Sequence, residues 1–249
     1  MANGNRRKTR VPIVCLDPAS VAGADIFNPN DWVGASKGVV QSCWSEYSAL
    51  AYCVDRLTDI CARANELCAK HVAIIQDQWS RSHFSPNTVD IYGELPELHI
   101  QVEAFFSSVK SLLDLLVQLL STEGVVGAQV HGFHAEKNVY GGKVLGILKN
   151  NARKKHAERA EHIFELICKH KTEWIDRVVE ARDLLVHPQL GAHQLMFRLD
   201  FAQDGKTLVF NRARSPIVND AEVDVFAKDV VQHTRGFSAE FLAAVADGT

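Results

Sequence analysis

The sequence predicts a mainly α fold, in which a helical bundle is followed by a small C-terminal β-hairpin and a closing helix. Three observations lead to this prediction. Apolar residues recur every three or four positions in four segments between about residues 36 and 187, the spacing of one helix face. The pattern changes to alternation between Leu195 and Phe210, with Asp204 and Gly205 at the turn. Helical spacing then returns and continues to about Ala246.

The chain divides into three predicted parts. Residues 1–35 form an irregular arm that is basic from Arg6 to Arg10 and then rich in Pro, Gly, Asn and Asp. Residues 36–190 form the helical bundle. Residues 191–249 contain the hairpin and the C-terminal helix, which we expect to pack on the bundle.

The first helix is predicted to begin with Ser36 as its cap. Its apolar residues keep alternating spacings of three and four for about five heptads, so a continuous helix would be on the order of 60 Å long. Such a helix must pack lengthwise on another helix, either in its own chain or in a partner. The residues of this seam are Val40, Cys43, Tyr47, Leu50, Val54, Leu57, Cys61, Ala64, Cys68, His71 and Ile75.

A loop from Ser80 to Leu95 precedes the second helix, and Pro96 suits its first turn. This segment is the most apolar of the chain, which predicts a place at the centre of the bundle. The stretch from Gly124 to Gly142 is glycine-rich and contains His131, His134 and Tyr140. Because it is long for a structureless connection, we interpret it as a functional loop.

The third helical region is predicted from about Lys143 to His170, with a break near Asn150 and Asn151. A fourth helix follows from Thr172, a plausible cap, to about His187, where Pro188 ends it. Asn219 or Asp220 is predicted to cap the closing helix.

Composition indicates an ordinary globular protein of 249 residues, with 47% hydrophobic and 23% charged residues. The net charge of −3 gives no overall attraction to nucleic acid, so any such binding must use local patches. No uninterrupted apolar run approaches the roughly 18 residues needed to span a bilayer, and the N-terminus is not a convincing signal peptide. We therefore expect a cytoplasmic protein with no membrane partner.

The six cysteines include no Cys-x-x-Cys pair, and several lie on the apolar face of the first helix. They are Cys15, Cys43, Cys53, Cys61, Cys68 and Cys168. This distribution is typical of buried thiols in a reducing compartment. His131 and His134 are three residues apart, but Glu136 is the one acid near them. We expect neither a metal site nor another cofactor.

The segment with most chemical information is the end of the fourth helix. Arg182 lies within its apolar stripe, where a guanidinium is costly unless it is paired or faces a cleft. Asp183 follows directly, and His187 is the last residue before Pro188. An arginine with a histidine suits a phosphodiester, because the arginine binds phosphate and the histidine exchanges protons near neutral pH.

This arrangement of Arg182, Asp183 and His187 resembles the signature of the HEPN superfamily, in which Arg, a polar residue and a later His end a helix of an all-α bundle. The resemblance implies a HEPN-like bundle and a metal-independent endoribonuclease with the role of a toxin or defence component. His187 would transfer a proton at the 2′-hydroxyl or the leaving 5′-oxygen, Arg182 would stabilise charge on the phosphate, and Asp183 would orient the pair. The resemblance also implies a homodimer in which two copies of the motif meet.

A basic cluster before the motif is a candidate RNA-binding region. It consists of Lys149, Arg153, Lys154, Lys155 and Arg159. The alternative is that these residues form a solvated helix face.

Three interpretations of the whole protein remain open at this stage. The leading one is an RNA-cleaving enzyme whose partners are a second copy, RNA, and an antitoxin or regulatory protein. The second is a non-catalytic HEPN-like module that binds a nucleotide or a protein partner. The third is a purely structural helical dimer, in which Arg182 pairs with Glu180 or Asp183 and His187 caps the helix.

Overall fold

The computed structural model describes residues 21–81, 91–137, 139–151, 156–186, 195–204 and 207–246. The fold is mainly helical, with a small antiparallel sheet and a closing C-terminal helix, as the sequence predicts. The α-helices are α1 (Gly34–Ala62), α2 (Ala64–Leu67), α3 (Ala69–Arg81), α4 (Pro96–Thr122), α5 (Gly142–Asn151), α6 (Ala157–His170), α7 (Asp176–Val186) and α8 (Val223–Ala246).

Packing of α1 along α4 forms the centre of the bundle, and α8 covers both. The apolar seam of α1 is therefore buried within its own chain, with Leu50 and Leu57 fully inaccessible. Pro96 occupies the first turn of α4, as predicted. One continuous core joins the bundle to the C-terminal part, because Phe197 and Phe237 belong to the same buried cluster as α1 and α4.

The prediction of one continuous helix to Ile75 is wrong, because the helix is interrupted at Arg63 and again at Cys68, which separate α1, α2 and α3. The break at Arg63 is followed by a tertiary contact. The side-chain oxygen of Asn65 accepts a hydrogen bond from the backbone N–H of Ala213 at 2.7 Å. A partner far along the chain thus holds α2 against the sheet, and helical periodicity carries no sign of it.

Two predicted helix caps are also wrong. Ser36 is buried inside α1, which begins two residues earlier after Val33. Asn219 and Asp220 have φ angles of +47° and +64° and form a two-residue turn instead of a cap. Both residue types tolerate this conformation, which suits a tight hairpin turn. The turn joins the two short strands β4 (Ile217–Val218) and β5 (Ala221–Glu222).

The predicted hairpin is confirmed as β2 (Met196–Asp204) and β3 (Thr207–Arg214), with a bulge between Asp200 and Phe201. A third strand, β1 (Ile91–Glu94), pairs with β2 and was missed, since its residues lie in the predicted loop from Ser80 to Leu95. Ser80 and Arg81, the first residues of that predicted loop, belong instead to α3, which ends at Arg81. Four residues are too short for a recognisable alternation, so only the tertiary pairing reveals this strand.

Among the described residues, α4 is the one helix long and apolar enough to cross a membrane by length and composition. Its most apolar 18-residue window is 56% buried inside the structure. Residues such as Leu112 and Leu116, both 0% exposed, face the other helices. The apolar character of α4 is therefore accounted for by its place in the core.

The described cysteines are free thiols, and burial raises the pKa of Cys43 to about 12 and of Cys61 to about 11. Protonated, buried thiols neither bridge nor bind metals readily. We expect thermal melts with and without chelator and reductant to coincide within about 2 °C, which corresponds to less than roughly 1 kcal/mol. A large fall in melting temperature with either reagent would overturn this expectation.

Candidate active site

A π-helical turn at Lys171–Ile175 joins α6 to α7 without interruption. Thr172 is therefore not a cap: its hydroxyl donates to the backbone oxygen of Cys168 within the helix. π-Helical turns are rare and occur frequently at functional sites. Here the turn buries Trp174 and Ile175 and thereby sets the orientation of α7.

A buried hydrogen-bond chain anchors this turn to α8. The indole Nε1–H of Trp174 donates to Nδ1 of His170 at 3.2 Å, so His170 presents its Nε2–H to Glu240, 3.3 Å away. Burial alone raises the pKa of the Glu240 carboxyl, but contacts with His170 and Lys169 bring it below its ordinary value. These hydrogen bonds hold the segment that leads into α7 against α8.

Arg182 lies at the edge of the bundle on α7, and its side chain is 26% exposed. Its Nε and Nη2 donate to one oxygen, Oδ1 of Asp183, at 3.0 and 2.6 Å. The side chain of Asp183 is 44% exposed. Val178 and Ala181, which precede the pair on α7, are buried, whereas the pair reaches solvent. The two hydrogen bonds therefore hold the guanidinium in place while it remains accessible.

The glycine-rich loop folds back onto α4 near this pair. The backbone N–H of the buried Phe133 donates to Oδ1 of Asp114 at 2.7 Å, while Lys110 donates to Oδ2 at 2.5 Å. The rings of Phe133 and Tyr140 are 5.2 Å apart. A Cβ on Gly132 would stand 2.9 Å from Asp114 Oδ1 and 3.0 Å from the exposed His134 at Nε2, so a glycine lets these two groups approach.

The charge of Arg182 acts on the Tyr140 hydroxyl. Burial first, and then the charges of Asp114 and Asp183, raise the pKa of Tyr140 to about 12, and the charge of Arg182 opposes them. The phenol therefore stays neutral near pH 7 and can donate a hydrogen bond to an anionic oxygen. The sequence analysis noted Tyr140 only as a member of the predicted functional loop, and Asp114 was missed. The one signal for Asp114 is its i, i+4 pairing with Lys110 in the most apolar segment of the chain.

Most of the other predicted site residues lie outside the described part of the chain. His187 follows Val186, the last described residue of α7, and Arg153, Lys154 and Lys155 are likewise outside. Lys149 is exposed near the end of α5. Arg159 is half-buried, and its Nε donates to the backbone oxygen of Ala244 at 3.2 Å, so it contacts the last turn of α8.

An apolar cavity of about 360 Å³ opens between the C-terminal turns of α7 and the β4–β5 hairpin. Leu184 and Ile217 are 36% and 61% exposed at this place. The lining residues are Ala181, Leu184, Leu185, Ile217, Val218, Asn219 and Asp220. Within the described ranges, no group of three His, Cys, Asp or Glu residues is placed to hold a metal ion.

Comparisons with known proteins found no match among protein-family models, curated proteins or solved structures. The resemblance to the HEPN superfamily therefore rests on Arg182, Asp183 and His187 alone.

Proposed function

We propose that this protein is a metal-independent endoribonuclease of the HEPN type, active in the cytoplasm as a toxin or defence component restrained by an antitoxin or regulatory protein. The observation that carries the proposal is the Arg182–Asp183 pair, which is held by two hydrogen bonds and yet reaches solvent. The pair lies near the C-terminal end of α7, and Arg182 is five residues before His187 in the sequence.

The proposed reaction assigns one task to each residue. The 2′-oxygen of RNA forms a bond to phosphorus, and the bond from phosphorus to the 5′-oxygen breaks. His187 takes the proton from the 2′-hydroxyl or delivers one to the 5′-oxygen. Arg182 donates to the phosphate oxygens, where negative charge increases in the transition state, while Asp183 fixes the guanidinium. The neutral Tyr140 hydroxyl, on which the charges of Arg182 and Asp183 act, is assigned as a further donor to the phosphate.

The cleavage experiment follows from this chemistry. Purified protein should cleave a mixed RNA pool in excess EDTA, because no step asks for a metal. The products should carry 2′,3′-cyclic phosphate and 5′-hydroxyl ends. Cleavage that stops on addition of EDTA, or products with 5′-phosphate ends, would contradict the proposal.

A homodimer completes the proposed site, because each chain contributes one motif histidine whereas the reaction asks for both an acid and a base. The seam of α1 is used within the chain, so another surface must form the dimer. The exposed Leu184 and Ile217 beside the motif are suited to this role.

We expect the wild type to sediment as a dimer at tens of micromolar, a range near typical micromolar affinities. Leu184→Asp with Ile217→Asp should sediment as a monomer. The exposed Ile100→Asp is the matched control and should leave the dimer intact. A monomeric wild type would count against the composite site.

The second candidate function is a non-catalytic module that binds a nucleotide. The cavity beside Leu185 favours it, since an apolar pocket with a few polar groups at its rim, here Asn219 and Asp220, is typical of small-molecule sites. Calorimetric titration with adenosine and guanosine monophosphates tests this alternative. Binding that Ile217→Arg abolishes, in a protein that cleaves no RNA, would establish it in place of the nuclease.

A further inference from the structure

Three arginines surround one aspartate on the outer face of the β2–β3 hairpin. The register pairs Arg198 with Arg214 and Asp200 with Arg212. Opposite residues of an antiparallel pair point to the same face, so all four side chains share one side of the sheet. The neighbouring residues Phe197 and Leu199 point to the other side and are buried in the core.

The three arginine side chains are much more exposed than the Asp200 side chain. Those of Arg198, Arg212 and Arg214 are 55%, 61% and 50% exposed, whereas that of Asp200 is 18% exposed. The Nε atoms of Arg198 and Arg212 lie 3.7 and 3.5 Å from the carboxylate, and Arg214 hydrogen-bonds to it. Three guanidinium groups thus share the Asp200 carboxylate, which holds them side by side.

This arrangement concentrates positive charge in a chain whose net charge is −3. Like charges directly opposite each other in a sheet are destabilising, as with Arg198 and Arg214, so the face has a cost that a binding role would explain. Asp200 reduces that repulsion without matching three cations. Burial alone raises the pKa of Asp200, but its contacts with the arginines hold it below the ordinary value, so the carboxylate stays ionised near pH 7.

Two tertiary contacts keep the hairpin rigid against the helices. Ala213 donates its backbone N–H to Asn65 of α2, and the side-chain amide of Gln76 on α3 donates to the backbone oxygen of Leu208 at 2.9 Å. A surface with fixed arginine positions loses little side-chain and backbone freedom when an anion binds.

The geometry suits an extended polyanion better than a single small anion. Residues two apart on a strand, such as Arg212 and Arg214, are separated by about 6.7 Å, and adjacent strands lie about 4.8 Å apart. The three guanidinium groups therefore spread over an exposed patch of the sheet. Each presents a planar fork that matches a phosphate group.

We propose that the arginine face, Arg198, Arg212 and Arg214 around Asp200, binds the phosphate backbone of an RNA strand without reading its bases. The choice of RNA among polyanions rests on the proposed function. This surface is separate from the predicted cluster of Lys149, Arg153, Lys154, Lys155 and Arg159. It supplies a contact region on a different part of the chain.

The test measures binding without cleavage. The probe is a fluorescent 2′-O-methyl oligouridylate of about twenty nucleotides, long enough for several phosphate contacts, which has no free internal 2′-hydroxyl to attack phosphorus. Its dissociation constant is measured by anisotropy over a range of salt concentrations. The variant is Arg212→Gln with Arg214→Gln, and the matched control is Arg63→Gln with Arg81→Gln, which removes two other exposed, ion-paired arginines.

We expect the Arg212 and Arg214 variant to bind about tenfold more weakly at 0.1 M salt, taken as roughly physiological ionic strength. Its slope of log K against log salt should shrink by about 1.4, because each lost contact with a single strand is worth about 0.7. The control should stay within about twofold of wild type. Arg212→Lys with Arg214→Lys retains the charge and should keep the salt slope. Should the glutamine pair fail to fold, Arg198→Gln is the replacement and should reduce the slope by about 0.7.

Equal affinity of the glutamine pair and the control would overturn the proposal, as would a wild type that does not bind the probe. Binding to phosphatidylserine vesicles that depends on Arg212 and Arg214, with RNA binding unchanged, would replace it with a membrane surface. Arginine-dependent RNA binding in a protein that cleaves no RNA would support this inference while the proposed nuclease fails. If the protein cleaves RNA, and replacing Arg212 and Arg214 changes neither cleavage nor RNA binding, the proposed nuclease is supported and this inference fails.

Discussion

Arg182→Ala is expected to lower kcat/KM for RNA cleavage by about 10²–10³-fold, the usual effect of removing one donor to a developing oxyanion. Two hydrogen bonds to Asp183 hold the guanidinium, and its side chain is 26% exposed, so an RNA phosphate can reach it. Steady-state cleavage of one defined RNA measures the effect. Arg182→Lys should restore the charge and only part of the rate, because an ammonium lacks the planar fork that Asp183 orients.

Arg177→Ala is the matched control for this series. Arg177 is an exposed arginine of the same helix, and the contact that it makes with Asn219 uses its backbone oxygen, which alanine retains. The Arg177→Ala variant should cleave RNA at the wild-type rate. Because the stem of Arg182 packs beside apolar residues, Arg182→Ala is also expected to lose some stability, so each variant is melted before assay. Equal cleavage by the two alanine variants would remove Arg182 from the mechanism.

Gly141→Ala is expected to destabilise the protein by about 2–4 kcal/mol, in the lower part of the range that a strained backbone and an overpacked core give together. Gly141 has a φ of +72°, and a Cβ there would stand 2.4 Å from the buried ring of Phe133. That ring packs on Tyr140, so the loop must shift to make room for the methyl group. A thermal melt should show a loss of about 5–15 °C.

Gly38→Ala provides the opposite case with the same chemical change. Gly38 lies within α1, and a Cβ there would meet no atom within 4 Å. Alanine should raise the free energy of unfolding by about 0.5–1 kcal/mol, since glycine is unfavourable inside a helix. If Gly141→Ala melts together with the wild type, the close packing of the loop on Phe133 is not present in solution.

The parts of the fold that the sequence could predict are those built from local periodicity. The apolar face of α4 and the alternation of β2 and β3 each arise from contiguous residues, and both are confirmed. The break at Arg63 and the pairing of β1 depend on contacts with the hairpin more than 100 residues away in the chain, such as that between Asn65 and Ala213. The π-helical turn at Lys171–Ile175 shifts the apolar spacing by about one residue. Periodicity alone does not distinguish such a shift from the break between two helices that the sequence predicted.

The candidate site divides in the same way. Arg182 and Asp183 are adjacent in the chain, and the ion pair that they form is one of the two that the structural interpretation of this helix suggested. The approach of Tyr140 to this pair depends on a loop whose position is set by the bond between the Phe133 N–H and Asp114. No spacing rule connects these residues, because Tyr140 comes within reach of the charges of Arg182 and Asp183 only once α4 and α7 are packed together.

His187→Ala in the RNA cleavage assay with excess EDTA tests the central claim most directly. The account predicts that the wild type cleaves the mixed RNA pool to products with 2′,3′-cyclic phosphate ends. It predicts that His187→Ala, with an unchanged melting temperature, loses about 10²–10⁴-fold in rate. Equal cleavage by wild type and His187→Ala, or no cleavage by the purified wild-type dimer over a broad set of RNAs, would contradict it.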